Sequence, residues 1–510
     1  MRTAQRNDQI LQRLEKAVHS GNITAVVPED LEIEAHNTLW EETDPTELTL
    51  LKLIPDIPAK QIAHEFTKIT SYGFNRNSGF FGERSLPPET NFASSRVINT
   101  IKLMGEIGPT FLLAALEKTQ QALGTTGAQN IERAAIRKNV LWKKNRNLYF
   151  SNDNDTRSTL RFQGIAQQIG EGTDGTVGTA SPYGSHAIDM QGEPLTIEAV
   201  RERAGRVITL FGRTSCVVME PMARVDLEAS MDAAHRLDMP QPIRPLMIGQ
   251  SIAGIQTQGG VTYFETDNTL SPIYSRPQYS ATLIDGAPSG TCTVTATAQA
   301  DNATTDTVTS RWLAGDAGDV FYVVTEVVEE RESLGRSTGA AWTTVAAGQE
   351  VDLLITPSSP EVESFKVYRG DENDGADRTD PTTAWFIFEV ASTTPGAAIH
   401  AFDNNVYRPN TSWAFGLNIQ SRASNMLHGA LTNGYAAAYD HVRANSAQFL
   451  ESNDIPARNT VAVASLGPKM GILALASILA EVDRPLLYSA CTPEVRNPYQ
   501  NFYFYNVGRR

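Results

Sequence analysis

Between Thr196 and Pro221 the apolar positions spell out one helix followed by one strand. Ile197, Val200, Val207, Ile208 and Phe211 recur at helical spacing, Thr196 stands where an N-cap belongs, and Gly212 supplies the stop. The unbroken apolar run Cys216, Val217, Val218, Met219 then predicts a buried strand. Upstream, residues 128–150 (AQNIERAAIRKNVLWKKNRNLYF) hold no Gly or Pro and many good helix formers, which predicts one long helix ended by the acidic turn SNDND. Residues 8–19 predict a shorter helix with Ile10, Leu11, Leu14 and Val18 on one side. A helix of that length is marginal in water and needs a partner surface. Residues 48–66 are apolar but carry Pro55 and Pro58, so extended backbone followed by a short helix is expected there.

The period changes in the second half. Residues 276–405 alternate short β-prone runs with turn clusters: TCTVTATA (291–298), VFYVVTEVV (320–328), EVDLLI (350–355), SFKVYRG (364–370) and AWFIFEVA (384–391). At least five strands at that spacing predict a β-sandwich. The YVVTEV, AAGQEVDLLI and FKVYRG segments resemble a fibronectin type III or immunoglobulin-like domain. IQTQGGVTYF predicts a hairpin through Gly259 and Gly260, and residues 421–452 read as helical. Residues 70–95 are rich in Gly, Pro, Asn and Ser yet include Tyr72, Phe74, Phe80, Phe81 and Phe92, an aromatic load that is costly to leave in water.

Charge sharpens this division. Residues 276–405 contain 20 acidic and 7 basic side chains, a balance of −13, so the rest of the chain carries only −2 of the formal −15. A separate, solvent-facing acidic module has that signature. A length of 510 residues suggests two to four units. Cys216, Cys292 and Cys491 show no metal or redox spacing and are expected to be small buried hydrophobes in a reduced, cytoplasmic setting. The start MRTAQRNDQ lacks a leader's apolar core, and the longest apolar stretch, ILALASILA at 472–480, is too short to span a bilayer. No export leader and no membrane association are expected.

Several of these segments, taken in order, resemble a known family. HAIDMQGEPLTIEAVRERAGRVITLFGRTSCVVMEPMARV (186–225) resembles the axial domain of tailed-bacteriophage major capsid proteins, the Hong Kong 97-type fold. The run Arg96 to Met104 resembles the family's strand returning from an extended loop, 128–150 its spine helix, and RFQGIAQQI (161–169) its "f.Gl..qi" segment. Asn506, Val507 and Gly508 in FYFYNVGRR match its terminal "f.NVG". The likeness covers roughly residues 60–275 and 410–510. It implies an α+β capsid subunit with an N-terminal arm (1–60), an extended loop with flanking strands (61–105), a peripheral domain with the spine helix (106–185), axial-domain and peripheral strands (186–275), the inserted sandwich (276–405) and a C-terminal part of the core (406–510).

The resemblance further implies self-assembly into hexamers and pentamers of a virion head shell, built in the host cytoplasm around packaged double-stranded DNA. Portal and scaffolding proteins, and a decoration or cement protein, would be its partners. Tyr72, Phe74, Phe80, Phe81 and Phe92 would be intersubunit contacts. From Ile69 to Ile101 there is no lysine, and Arg76, Arg84 and Arg96 are poor nucleophiles, so the lysine–asparagine cross-link of some family members is not expected at the loop tip.

Catalytic signals are weak by comparison. Gly249–Ala253 gives a G-x-S-x-A string, but a hairpin follows where a nucleophile elbow needs a helix. GEGTDGTVG (170–178) lacks the Lys-Ser/Thr of a phosphate loop, and the acidic runs 152–155 and 371–380 lack calcium-loop spacing. No cofactor, metal or catalytic residue is assigned. Arg133, Arg137, Lys138, Lys143, Lys144 and Arg146 crowd the long helix, and such a basic face suits either DNA phosphates or a neighbouring subunit. The alternatives are a polysaccharide-acting hydrolase with an immunoglobulin-like module, which would need convergent acid and base residues, and a tail or fibre component, against which the long helix and the NVG terminus argue.

Overall fold

The computed structural model describes residues 48–71, 80, 93–107, 110–111, 128–170, 186–209, 214–230, 254–257, 260–272, 276–277, 292–301, 309–334, 336–337, 342–372, 375–378, 380–418, 461–467, 470–475, 482–496 and 498–508. The segments expected as an N-terminal helix at 8–19 and as helical sequence at 421–452 lie outside them. Helix α1 (Thr49–Leu53) comes first and strand β1 (Asp56–Pro58) second. This reverses the order expected for 48–66: Leu50 buries against the core from a helical turn, with Leu48 buried just before it, and the prolines then force extension. Strands β2 (Ala63–Ser71) and β3 (Ala93–Thr100) pair antiparallel. β4 (Lys102–Ile107) and β5 (Thr110–Phe111) follow. The returning strand expected over 96–104 is therefore split at Ile101, whose side chain is buried and whose N–H donates to the Ile62 carbonyl. Helix α2 (Ala128–Phe150) fills the whole breaker-free span, and α3 (Ile165–Gly170) follows the acidic turn.

β6 (Ala187–Asp189), α4 (Ile197–Thr209), β7 (Cys216–Met219) and α5 (Pro221–Ala229) come next, with the hairpin β8 (Gly254–Thr257) and β9 (Gly260–Thr266). Thr196 caps α4 by accepting from the Ala199 N–H at 3.3 Å. Strands β10 (Thr293–Ala300), β11 (Gly318–Val328), β12 (Arg331–Glu332), β13 (Arg336–Ser337), β14 (Thr343–Val345), β15 (Gln349–Thr356), β16 (Ser364–Asp371), β17 (Trp385–Ala391) and β18 (Ile399–Asp403) form two antiparallel sheets. One runs β10-β15-β18. The other runs β12-β11-β16-β17, with β13 and β14 also on β11. They close on one core in which Tyr322, Val324, Phe365 and Val367 meet Val351, Leu353, Ile355 and Ala401, with Trp312 beside them.

β19 (Ser412–Leu417), β20 (Val461–Ser465), β21 (Gly471–Leu475), β22 (Val482–Val495) and β23 (Phe502–Val507) complete the chain. β19 and β23 rejoin the sheet begun upstream, in the order β6-β23-β19-β7-β9-β8. One side of this sheet packs Leu195, Val200, Val207 and Leu227 from α4, α5 and the turn before α4; the other packs Leu148, Tyr149 and Ile165 from α2 and α3. A further sheet, β1-β20-β22-β21 with β4 and β5 on β22, lies against α2 through Leu487, Ile136 and Val140. The whole is a mixed α+β molecule made mostly of strands.

Candidate assembly interface

The β2–β3 ribbon has the exposure of a part built for another surface. Among the described residues it pairs with no third strand. Its root is fixed: Asn99 Nδ2 donates to the Pro493 carbonyl at 3.2 Å, and His64 Nε2 lies 2.8 Å from Oε1 of buried Glu494. Arg96 pairs with Glu65 across the strands. Beyond the root Ile98 is 58% exposed, and Phe80, between the two strands in sequence, is 92% exposed. A lone hairpin with open faces is unstable in water without a third strand or a packed face. Tyr72, Phe74, Phe81 and Phe92 lie outside the described residues.

An apolar strip on the neighbouring sheet adds to this surface. In register, Leu103 faces Ala490, while Ile107 and Leu473 both face Leu486. Strand alternation puts these positions on the side opposite Leu487 and Ser489, which meet α2. Leu103 is 75% exposed, and Ile107 and Leu473 are also exposed.

The basic residues of α2 do not form one face. Arg137 is exposed, Lys138 is half-buried, and the side chain of Arg133 lies outside the described residues. Lys143 is exposed but bound to Glu106 at 2.8 Å. Lys144 is buried and donates to Ser489 Oγ at 2.9 Å, and Arg146 donates to the Thr269 carbonyl at 3.0 Å with its guanidinium 5.4 Å from the Phe150 ring centre. Lys144 and Arg146 are thus structural, a correction to the DNA-facing or intersubunit reading. The C-terminal half of α2 runs between two sheets, and a cation there needs an internal partner.

Two polar hubs hold these surfaces in place. Asp267, fully buried, accepts from Asn145 Nδ2 at 2.8 Å, Tyr149 OH at 3.1 Å, the Leu50 N–H at 3.3 Å and the Thr269 N–H at 3.0 Å, joining α1, α2 and β9. Burial, reinforced by Asp267, pushes the Tyr149 hydroxyl well above its ordinary pKa. Sequence reasoning missed this residue; the only local hint is that Asp267-Asn268-Thr269 is an Asx-turn string. The second hub is the terminal corner. Asn506 stands at φ 55, its Nδ2 donates to Asp189 Oδ1 and the Val406 carbonyl at 2.7 Å each, and its Oδ1 accepts from the Arg408 N–H at 2.8 Å. Gly508 packs so closely on the Gly192 backbone that a Cβ there would collide with its carbonyl. The N-V-G string therefore has a physical reason: an amide that tolerates left-handed backbone, a buried valine, and a residue without a side chain.

The two-sheet unit is braced to the rest on both flanks. Arg161 reaches Glu330 at 2.6 Å and Glu389 at 2.7 Å, and Arg157 donates to the Pro360 and Val362 carbonyls at 3.1 Å. On the other flank Arg311 meets Asp189 at 2.6 Å and Arg408 meets Asp316 at 2.6 Å. Inside, Arg369 is buried over Trp312 and bound to Asp403 at 2.8 Å. Burial opposes its charge, but Asp371 and Asp403 outweigh that and hold the guanidinium pKa above its usual value.

The Gly249–Ala253 string lies outside the described residues, as does 171–178. Among the described residues no group of three or more His, Cys, Asp or Glu could hold a metal ion, and no helix is long and apolar enough to cross a membrane. All three cysteines are buried, and burial pushes the Cys216 thiol up to about 12.

No family model and no curated protein matches the chain. Among solved structures it is similar to the capsid of the native GTA particle (7% identity, 96% of this chain and 97% of that one, TM-score 0.40). It is also similar to a Gordonia phage Cozz chain (9%, 96% and 94%, TM-score 0.38) and to the holo-SrpI encapsulin complex of Synechococcus elongatus PCC 7942 (6%, 93% of each chain, TM-score 0.36).

Proposed function

We propose that the chain is the major capsid protein of a tailed double-stranded DNA bacteriophage, assembling as hexamers and pentamers into an icosahedral head shell. The observation that carries this reading is the β2–β3 ribbon, a rooted hairpin whose apolar Ile98 stays exposed and which pairs with no third strand among the described residues. Repeated around closed symmetry, such a ribbon finds its cover on the next copy. The collinear run of family-like motifs supports the same reading, and the terminal NVG corner gives one of those motifs a structural purpose. Residues 276–405 are, in this proposal, an immunoglobulin- or fibronectin-like sandwich inserted between two parts of the capsid core. Its acidic surface faces outward, away from the DNA. Of the 1–60 segment expected as an arm, α1 and β1 pack into the subunit core, and the chain before them serves as the arm; portal, scaffolding and cement proteins are its transient or accessory partners. Location follows from role: the virion head, after assembly in the host cytoplasm. Negative-stain microscopy of the purified protein tests this. Closed shells, tubes or capsomer rings are expected, whereas discrete monomers at every concentration and ionic strength would overturn it.

A further inference from the structure

Leu103, Ile107 and Leu473 stand exposed beside Leu486 on the outward face of the β4–β22–β21 sheet. In the row between them Tyr488 is flanked by Gly105 and Gly471, and its ring lies so close over Gly471 that a Cβ there would meet it at 2.5 Å. The strip is therefore level across three strands. The other side of the sheet is covered by α2 through Leu487. A sheet face of leucine and isoleucine in water calls for a second layer. The subunit's own ribbon is too far along the sheet to supply it: β4 runs from Cys491 back to Leu486 on β22, while β3 leads the other way, to Pro493. The ribbon of another copy fits the strip poorly. Ile98 shares its face with Glu65 directly opposite and with Arg96, and pressing that ion pair onto aliphatic side chains would cost its hydration.

We propose that residues 8–19 dock as a helix on this face of their own subunit, with Ile10, Leu14 and Val18 against Leu103, Ile107 and Leu473. The sequence of this segment places Ile10, Leu11, Leu14, Ala17 and Val18 on one side with no charge among them, and a helix of that length is marginal in water without a partner. The dimensions agree. From Ile10 to Val18 the stripe is about 12 Å long at 1.5 Å per residue, and from Leu103 to Ile107 the strip is about 13 Å long at 3.3 Å per residue. Across β4, β22 and β21 it is about 10 Å wide, the diameter of one helix. Helix α1 lies on the α2 side of the sheet, where the Leu51 N–H donates to Asn145 Oδ1. Residues 20–47 join the two segments and can span up to about 90 Å, ample to pass around the sheet to its outward face. The docking needs no second copy, so it stands apart from the shell reading and dispersed subunits test it.

Hydrogen–deuterium exchange on the dispersed full-length protein, read by mass spectrometry, is the experiment. Amides of residues 10–19 should exchange at least about tenfold more slowly than in a free peptide of the same sequence, because docking is what holds the helix together. Leu473→Asp sets a charge in the seat and should bring that protection to within about twofold of the free peptide. Leu473 is exposed, so the melting temperature should hold. Leu14→benzoylphenylalanine leaves the body of the subunit unaltered, and on illumination it should cross-link within the same chain to residues 103–107 or 471–475. The proposal fails if residues 10–19 exchange as the free peptide does, if their protection survives Leu473→Asp, or if the cross-links fall elsewhere on the chain. Protection found only in assembled particles, or cross-links that join two chains, would give the strip to a neighbouring copy and overturn it equally.

Discussion

Asn506 uses its whole carboxamide and an unusual backbone angle at once, so its substitutions separate two costs. Asn506→Gly keeps the left-handed backbone easy but loses the bonds to Asp189, Val406 and Arg408; Asn506→Ala loses the bonds and adds strain. Each should lower stability by about 2 kcal/mol or more, with the alanine variant roughly 1 kcal/mol below the glycine variant. Equal melting temperatures for the two would show that the angle carries no strain. Glu332 offers a pH test inside the two-sheet unit. It accepts from Lys366 at 2.7 Å, Tyr368 at 2.5 Å and Thr325 at 2.8 Å. Burial alone would raise its pKa, but Lys366 and these donors overcome that and hold it below the usual 4.5. A depressed carboxylate stabilises the fold above its unfolded pKa, and that contribution is lost as pH falls through the folded one. Glu332→Gln should therefore cost about 1.5 to 3 kcal/mol near neutral pH, and its melting curve should converge on the parent's as the solution is acidified below 4.5. A gap that stays constant with pH would contradict the assignment.

Among the elements, the ribbon gives the sharpest separation of folding from assembly. Phe80→Ser removes a ring that is 92% exposed, so the subunit's melting temperature should stay within about 1 °C while the yield of the proposed shell drops severalfold. Loss of both together would place the ring in the subunit's own core. Elements whose shape is decided locally were readable in the sequence. The α2 span, the α4 cap at Thr196, the β7 run, the β8–β9 hairpin and the strands β10, β11, β15, β16 and β17 all follow from period, caps and breakers. What depended on distant chain was not. Thr49–Leu53 turns helical because a core awaits Leu50, Ile101 splits a strand because its side chain is buried, and the short β18 carries too weak an alternation to stand out. Lys144 and Arg146 misled for the same reason, since composition could not reveal that the second half of α2 lies between sheets. Asp267 was invisible because Leu50, Asn145 and Tyr149 reach it only through the fold.

For the molecule as a whole, the braces on the two-sheet unit predict that it is a fixed part of the subunit rather than a loosely tethered one. Deleting residues 278–404 through a short Gly-Ser linker would strip partners from Arg157, Arg161, Asp189 and Arg408 together. The shortened chain should melt roughly 5 to 10 °C lower than the parent, a loss of a few kcal/mol. An unchanged melting temperature would mean that these bridges contribute nothing. Where the ribbon goes is read directly by a cryo-electron microscopy reconstruction of the assembled protein. β2 and β3 should extend over an adjacent copy, with Phe80 and Ile98 covered by that copy's surface. A chain that remains monomeric, or an assembly in which the ribbon lies uncovered in solvent, would contradict it.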